Sequence, residues 1–147
     1  MSTCGGLGPV FEYLDERQPH LTEFSILSME GYPNELGIKA LLLGWLALKC
    51  FEGQSGGPLP VCSLEKFMSF GRSNAQLLNS SQSLSEEVFA EIMALETSGQ
   101  PVLMETLRSM IREHFNLDSM QPSDIRSLVR IYLTLKSIVE ALDSETN

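Results

Sequence analysis

The stretch over residues 35–52 constrains the fold most, because Leu36, Ile38, Ala40, Leu41, Leu42, Leu43, Trp45, Leu46, Leu48, Cys50 and Phe51 wrap most of a helical circumference. Lys39, Gly44 and Lys49 are the main interruptions of this surface, and Asn34 stands where an N-cap is needed. A helix apolar nearly all round must be buried, so this one is expected at the centre of the molecule. It cannot be a membrane span, since lysines break an apolar run that falls short of the roughly 20 residues a bilayer requires.

Patterns on either side supply what could cover such a helix. Leu103, Met104, Leu107, Met110, Ile111 and Phe115 recur at helical spacing, as do Ile125, Leu128, Val129, Tyr132, Leu135, Val139 and Leu142 in a final helix over about residues 123–142. Ser83 and Glu86 fit a capping box ahead of Leu84, Val88, Phe89, Ile92, Met93 and Leu95, and Gly99 and Pro101 end that helix. A short helix is expected from Ser63 to Phe70, stopping at Gly71. Phe24–Met29, rich in β-favouring residues and bounded by Gly31 and Pro33, is the best strand candidate, and Val10–Glu16 is expected as one short helical turn or strand. The expected class is therefore α+β, predominantly helical: four to five helices around a central buried helix, with at most a small sheet. The length of 147 residues suits a single domain over 10–147. Residues 1–9, with three glycines and a proline, are expected to be a flexible arm.

Charge and cysteine usage narrow the function classes. Ten Lys+Arg against 19 Asp+Glu leave a net charge of −9, which disfavours general binding to nucleic acid. Cys4, Cys50 and Cys62 form no CxxC pair and no even disulfide set, and Met1–Val10 lacks a basic region before an apolar stretch. An intracellular, cytoplasmic location is the expectation. Two histidines and three scattered cysteines provide no zinc spacing, so neither metal nor other cofactor is expected.

Two local patterns bear on activity. Gly53-Gln54-Ser55-Gly56-Gly57-Pro58 satisfies G-x-S-x-G and resembles the signature of trypsin-like serine proteases, in which an aspartate stands where Gln54 stands here. The available bases are His20, near Asp15 and Glu16, and His114, which falls within an apolar arc. A small serine hydrolase using Ser55 is thus the alternative to a non-enzymatic protein. The second pattern lies on the last helix, where Arg126, Ser127, Arg130, Thr134 and Ser137 form a face without acids in an otherwise acidic chain. Ile131 and Leu133 widen its apolar stripe, and Lys136 falls inside that stripe, where an ammonium must snorkel or meet a carboxylate. Arg126, Arg130, Ile131, Leu133 and Lys136 are therefore the expected interaction residues, with a second copy of the chain or an acidic partner protein as occupant.

The strand-like Phe24–Ser28, Tyr32 after a turn, an apolar helix ending in Trp45, then Phe51 and a Gly53-x-x-Gly56 loop followed by prolines make an ordered series; His114-Phe115-Asn116 and Ser123-Asp124-Ile125-Arg126 extend it. This order resembles the core of rhabdovirus matrix proteins. The resemblance implies a self-associating structural protein of the virion that links nucleocapsid to membrane. The chain departs from that family in lacking a lysine-rich N-terminal arm and a Pro-Pro-x-Tyr segment.

Overall fold

The computed structural model describes residues 3–80, 101–113 and 122–146. The capping box at Ser83, the helix expected through Leu95, His114 and Phe115 lie outside the described residues. Among the described residues the chain forms six helices and no strand: α1 Thr3–Arg17, α2 Pro19–Ser28, α3 Asn34–Ser55, α4 Leu64–Ser80, α5 Pro101–Arg112 and α6 Pro122–Ser144. The protein is predominantly helical, and the strand expected at Phe24–Met29 is helix α2.

Local chemistry explains these boundaries. Helix α1 begins at Thr3, inside the segment expected as a loose arm, and carries Pro9 in its interior. Pro9 has no amide to offer the carbonyl four residues earlier. Val10 and Leu14 are buried and hold the helix from its second half. Gln18 interrupts the path with extended φ −147°, because a residue preceding proline is pushed out of the helical region, and Pro19 then opens α2. In α2 the buried residues are Leu21, Phe24, Ser25 and Ser28, a spacing of three, four and seven that only a helix places on one face. The alternation of Phe24 and Ile26 that suggested a strand separates a buried ring from an exposed side chain.

Gly31, at φ +89°, turns the chain toward α3. Pro33, with no side-chain capping bond, occupies the N-cap position expected of Asn34, and α3 continues through Ser55 before Gly56 ends it in the left-handed region. Ser63 caps α4 by accepting the Lys66 amide at 3.1 Å. Helix α4 passes through Gly71 where a stop was expected. A Cβ at Gly71 would lie 3.1 Å from the Phe24 ring, so this glycine permits close approach of α2 and α4 instead of ending a helix.

The central element is α6, not α3. Residues 131–139 of α6 are all buried, and the helix packs against α2, α3, α4 and α5. Helix α3 lies beside it, burying Leu36, Ala40, Leu41, Leu43, Ala47, Leu48 and Phe51 while exposing Ile38, Lys49 and Cys50. Trp45 is only half-buried. Gly44 sets the spacing: a Cβ there would come within 3.2 Å of Leu21 Cδ2 and 3.3 Å of Ile138 Cδ1, so α2, α3 and α6 meet at this point. One hydrophobic cluster runs from Val10 to Leu142.

The exchange of roles between α3 and α6 is measurable. Tyr132→Ala, at the fully buried centre of α6, is expected to lose about 3–5 kcal/mol in urea denaturation, and Trp45→Ala less than half as much. Equal losses would return α3 to the centre.

Candidate interaction surfaces

Four of the five expected interaction residues lie inward or partly so. Ile131 and Leu133 are buried in the core of the single chain. Lys136 is 1% exposed, and its ammonium lies at the α4–α6 contact, donating to Asn74 Oδ1 at 2.7 Å and Glu140 Oε1 at 3.0 Å. Asn74 in turn donates from Nδ2 to Glu140 Oε1 at 2.8 Å and Ser137 Oγ at 2.9 Å. The lysine thus meets the carboxylate its position demands, within its own chain. Arg130 is half-buried and donates from Nε to the Ser28 carbonyl at 2.7 Å, placing a cation at the C-terminal end of α2 where the helix dipole favours one. Arg126 is exposed. The structure therefore joins Arg130 and Lys136 to intramolecular partners and leaves Arg126 at the surface.

The residues of the hydrolase alternative are placed apart in function. Ser55 is exposed on the last turn of α3, and Gly53 and Gln54, expected as loop, are helical. His20 faces Glu23 on its own helix, Nδ1 to Oε1 3.1 Å. No hydrogen bond joins Ser55 to His20 among the described residues. No group of three or more His, Cys, Asp or Glu suited to a metal occurs among the described residues.

Three polar clusters that the sequence pattern does not show fasten the periphery. Fully buried Gln18 donates from Nε2 to the Pro60 carbonyl at 2.9 Å and accepts the Cys62 amide on Oε1 at 2.9 Å, clamping the segment between α3 and α4 onto the α1–α2 corner. Lys66 donates to Glu145 Oε2 at 2.6 Å, tying the start of α4 to the end of the described chain. Burial, with the nearby Glu145 charge, pushes the Cys62 thiol up to about 11. The hydrogen bond to Glu145 raises Lys66. Tyr13 donates its hydroxyl to the buried Glu52, which raises the phenol, and Arg17 and Lys49 lie 5.1 and 4.7 Å from its ring centre.

Two concavities flank α2. The larger, about 490 Å³, lies between α1, α2 and α3, with Phe11, Ile26, Met29, Ile38 and Leu41 as its apolar lining and Glu30 as its one charged residue. Phe11, Ile26 and Ile38 are 37%, 62% and 41% exposed. Ser25 also lines it, and its buried hydroxyl has no hydrogen-bond partner among the described residues. The smaller, about 180 Å³, lies between α2, α4 and α6, where Phe24, Leu27, Met68 and Leu133 meet Arg72 and Arg130. The larger groove is not visible in the sequence because its apolar residues come in ones and twos from three separate stretches of chain. The Ile26–Glu30 spacing, on a helix instead of a strand, was the available signal.

No helix among the described residues is long and apolar enough to cross a membrane. In comparison with known proteins, no family model, no curated protein and no solved structure matches the chain.

Lys136→Met should cost about 1–3 kcal/mol in chemical denaturation, because it strips buried Asn74 of its ammonium donor. Lys136→Met with Asn74→Leu should recover part of that loss, which a lysine serving only as packing would not allow. Cys62, Lys66 and Tyr13 each hold a proton more tightly in the folded chain than in the unfolded one. Their stabilising contribution is complete below their unfolded values and is lost as pH rises through the folded ones. Urea midpoints should therefore fall between about pH 9 and pH 11, and Cys62→Ala should flatten that fall.

Proposed function

We propose that this chain is a non-catalytic protein-interaction module that receives a basic amphipathic helix of a partner protein in the groove between α1, α2 and α3. The observation that carries this reading is the grouping of Phe11, Ile26 and Ile38, each substantially exposed, around one apolar concavity. Scattered apolar side chains need no explanation, whereas a contiguous group in a groove marks a contact site. Its volume and open form suit the spaced apolar anchors of a docked helix.

Charge selects the kind of helix. Glu30 lines the groove without a basic counterpart. Exposed Asp15 follows Phe11 by four residues on α1, and exposed Glu23 precedes Ile26 by three on α2, so acids stand one turn from the apolar anchors. Lysine or arginine on the flanks of the incoming helix would complement this rim. A second copy of the chain brings the same acidic rim and sets like charges together. Self-assembly through Ile131 and Leu133, the matrix-type route, would require taking both from the core.

The direct test is fluorescence polarisation with a labelled 18-residue leucine–lysine amphipathic helix and its scrambled counterpart. The helix should bind, and Ile26→Asp and Ile38→Asp should each weaken binding at least tenfold while leaving the helical circular dichroism intact, since both side chains are exposed. Equal binding of the scrambled peptide, or indifference to both substitutions, would remove the groove as the site. Concentration-dependent sedimentation abolished by Ile26→Asp would replace the partner helix with a second copy.

A further inference from the structure

We infer that the cleft between α2, α4 and α6 is a second binding site, independent of the apolar groove, for a carboxylate carried on a short apolar body. Its lining combines three helical faces at matching spacing: Phe24, Leu27 and Ser28 of α2, Met68, Arg72 and Ala75 of α4, and Arg130, Thr134 and Ser137 of α6. In a chain carrying 19 acids and 10 bases, this cleft has two arginines and no acid among its lining residues.

The hydrogen bonds already made inside the cleft define what it can offer. Thr134 Oγ1 donates to the Arg130 carbonyl at 3.0 Å, and Ser137 Oγ donates to the Leu133 carbonyl at 2.8 Å while accepting from Asn74. Both hydroxyl protons therefore have acceptors. Arg130 commits Nε to Ser28, which fixes the guanidinium against the wall of the cleft and leaves its two terminal amino groups for a ligand. Arg72 is exposed on the facing helix. Donors that are all guanidinium N–H groups call for an anion, and a planar fork suits a carboxylate.

Size fixes the rest. An apolar cavity of about 150 Å³ accepts benzene, so the 180 Å³ here admits a body of about six carbons beside Phe24, Leu27, Met68 and Leu133. A bare inorganic anion would leave those apolar walls uncovered. A free short-chain acid and the terminal leucine of a peptide present the same chemistry.

Titration of the ¹⁵N-labelled full chain, followed by amide shifts, tests the site with four probes: hexanoate, 1-hexanol, acetyl-Ala-Leu with a free carboxylate, and its amide. Hexanoate is expected to shift the Gly71 and Leu27 amides with a Kd of about 0.1–1 mM, and hexanol to bind at least tenfold more weakly. Arg72→Gln, an exposed substitution, should weaken hexanoate at least fivefold, and Ala75→Leu should block it by filling the cleft. Binding of the peptide acid without hexanoate assigns the carboxylate to a chain end, and binding of hexanoate without the peptide assigns it to a free acid. Failure of both carboxylates at 10 mM, equal binding of hexanol, or full retention of affinity in Arg72→Gln would overturn the proposal. None of these outcomes depends on the leucine–lysine helix binding the other groove.

Discussion

Burial of α6 on four sides is the constraint from which the rest of the architecture follows. A helix with nine consecutive buried residues, 131–139, cannot satisfy itself with one neighbour, and α2, α3, α4 and α5 each cover part of its circumference. Such burial is available only if every polar atom carried inward is answered. Lys136, Ser137 and Thr134 enter the core with α6, and Asn74, Glu140 and main-chain carbonyls of α6 answer them. Asn74 therefore sets the register of α4 against α6: a slip of one residue would take one acceptor from the buried ammonium, which keeps Glu140 on its own helix, and would part the Asn74 amide from Ser137 and Glu140. Packing supplies the driving force and this network fixes the alignment.

The periphery is tied by fewer bonds. Gln18 holds the 58–62 segment, and Lys66 with Glu145 closes α4 onto the end of α6. These contacts join parts of the chain 42 to 79 residues apart, and each engages a main-chain or charged group. The partly exposed Lys66–Glu145 pair contributes little stability by itself. The Gln18 clamp is different, because a fully buried amide has no water to replace the partners it would lose.

Much of the helical content was legible in the sequence, and the errors have identifiable physical causes. Apolar periodicity located α3, α5 and α6, but it does not report which of two strongly apolar helices is enclosed. The lysine at 136 argued for a surface, while the sequence held no sign that Asn74, 62 residues away, would receive its ammonium. Glycine both ends helices and permits close approach, and at Gly71 only the distance to Phe24 separates the two uses. Alternation at Phe24–Met29 spans too few residues to distinguish a strand from a helix whose buried face includes serine. The acid-free face at Arg130 was visible, yet its completion by Arg72 from α4 is a product of the fold.

Helix α2 links both concavities to the core. At ten residues it is too short to be stable alone, so its position comes from its neighbours. Phe24 against Gly71 and Phe67, Leu21 against Gly44, and the Arg130 bond to Ser28 set that position. Because side chains leave a helix at 100° intervals, Leu27 and Ser28 wall the arginine cleft while Ser25, Ile26 and Met29 wall the apolar groove. The two recesses thus share a partition one helix thick. Arg130 has a place in both the cleft and the partition, since it offers donors to one recess while its bond at the C-terminal end of α2 supports the wall of the other. Arg72, exposed and outside that support, separates the two roles, which is why the charge of the cleft is best varied there.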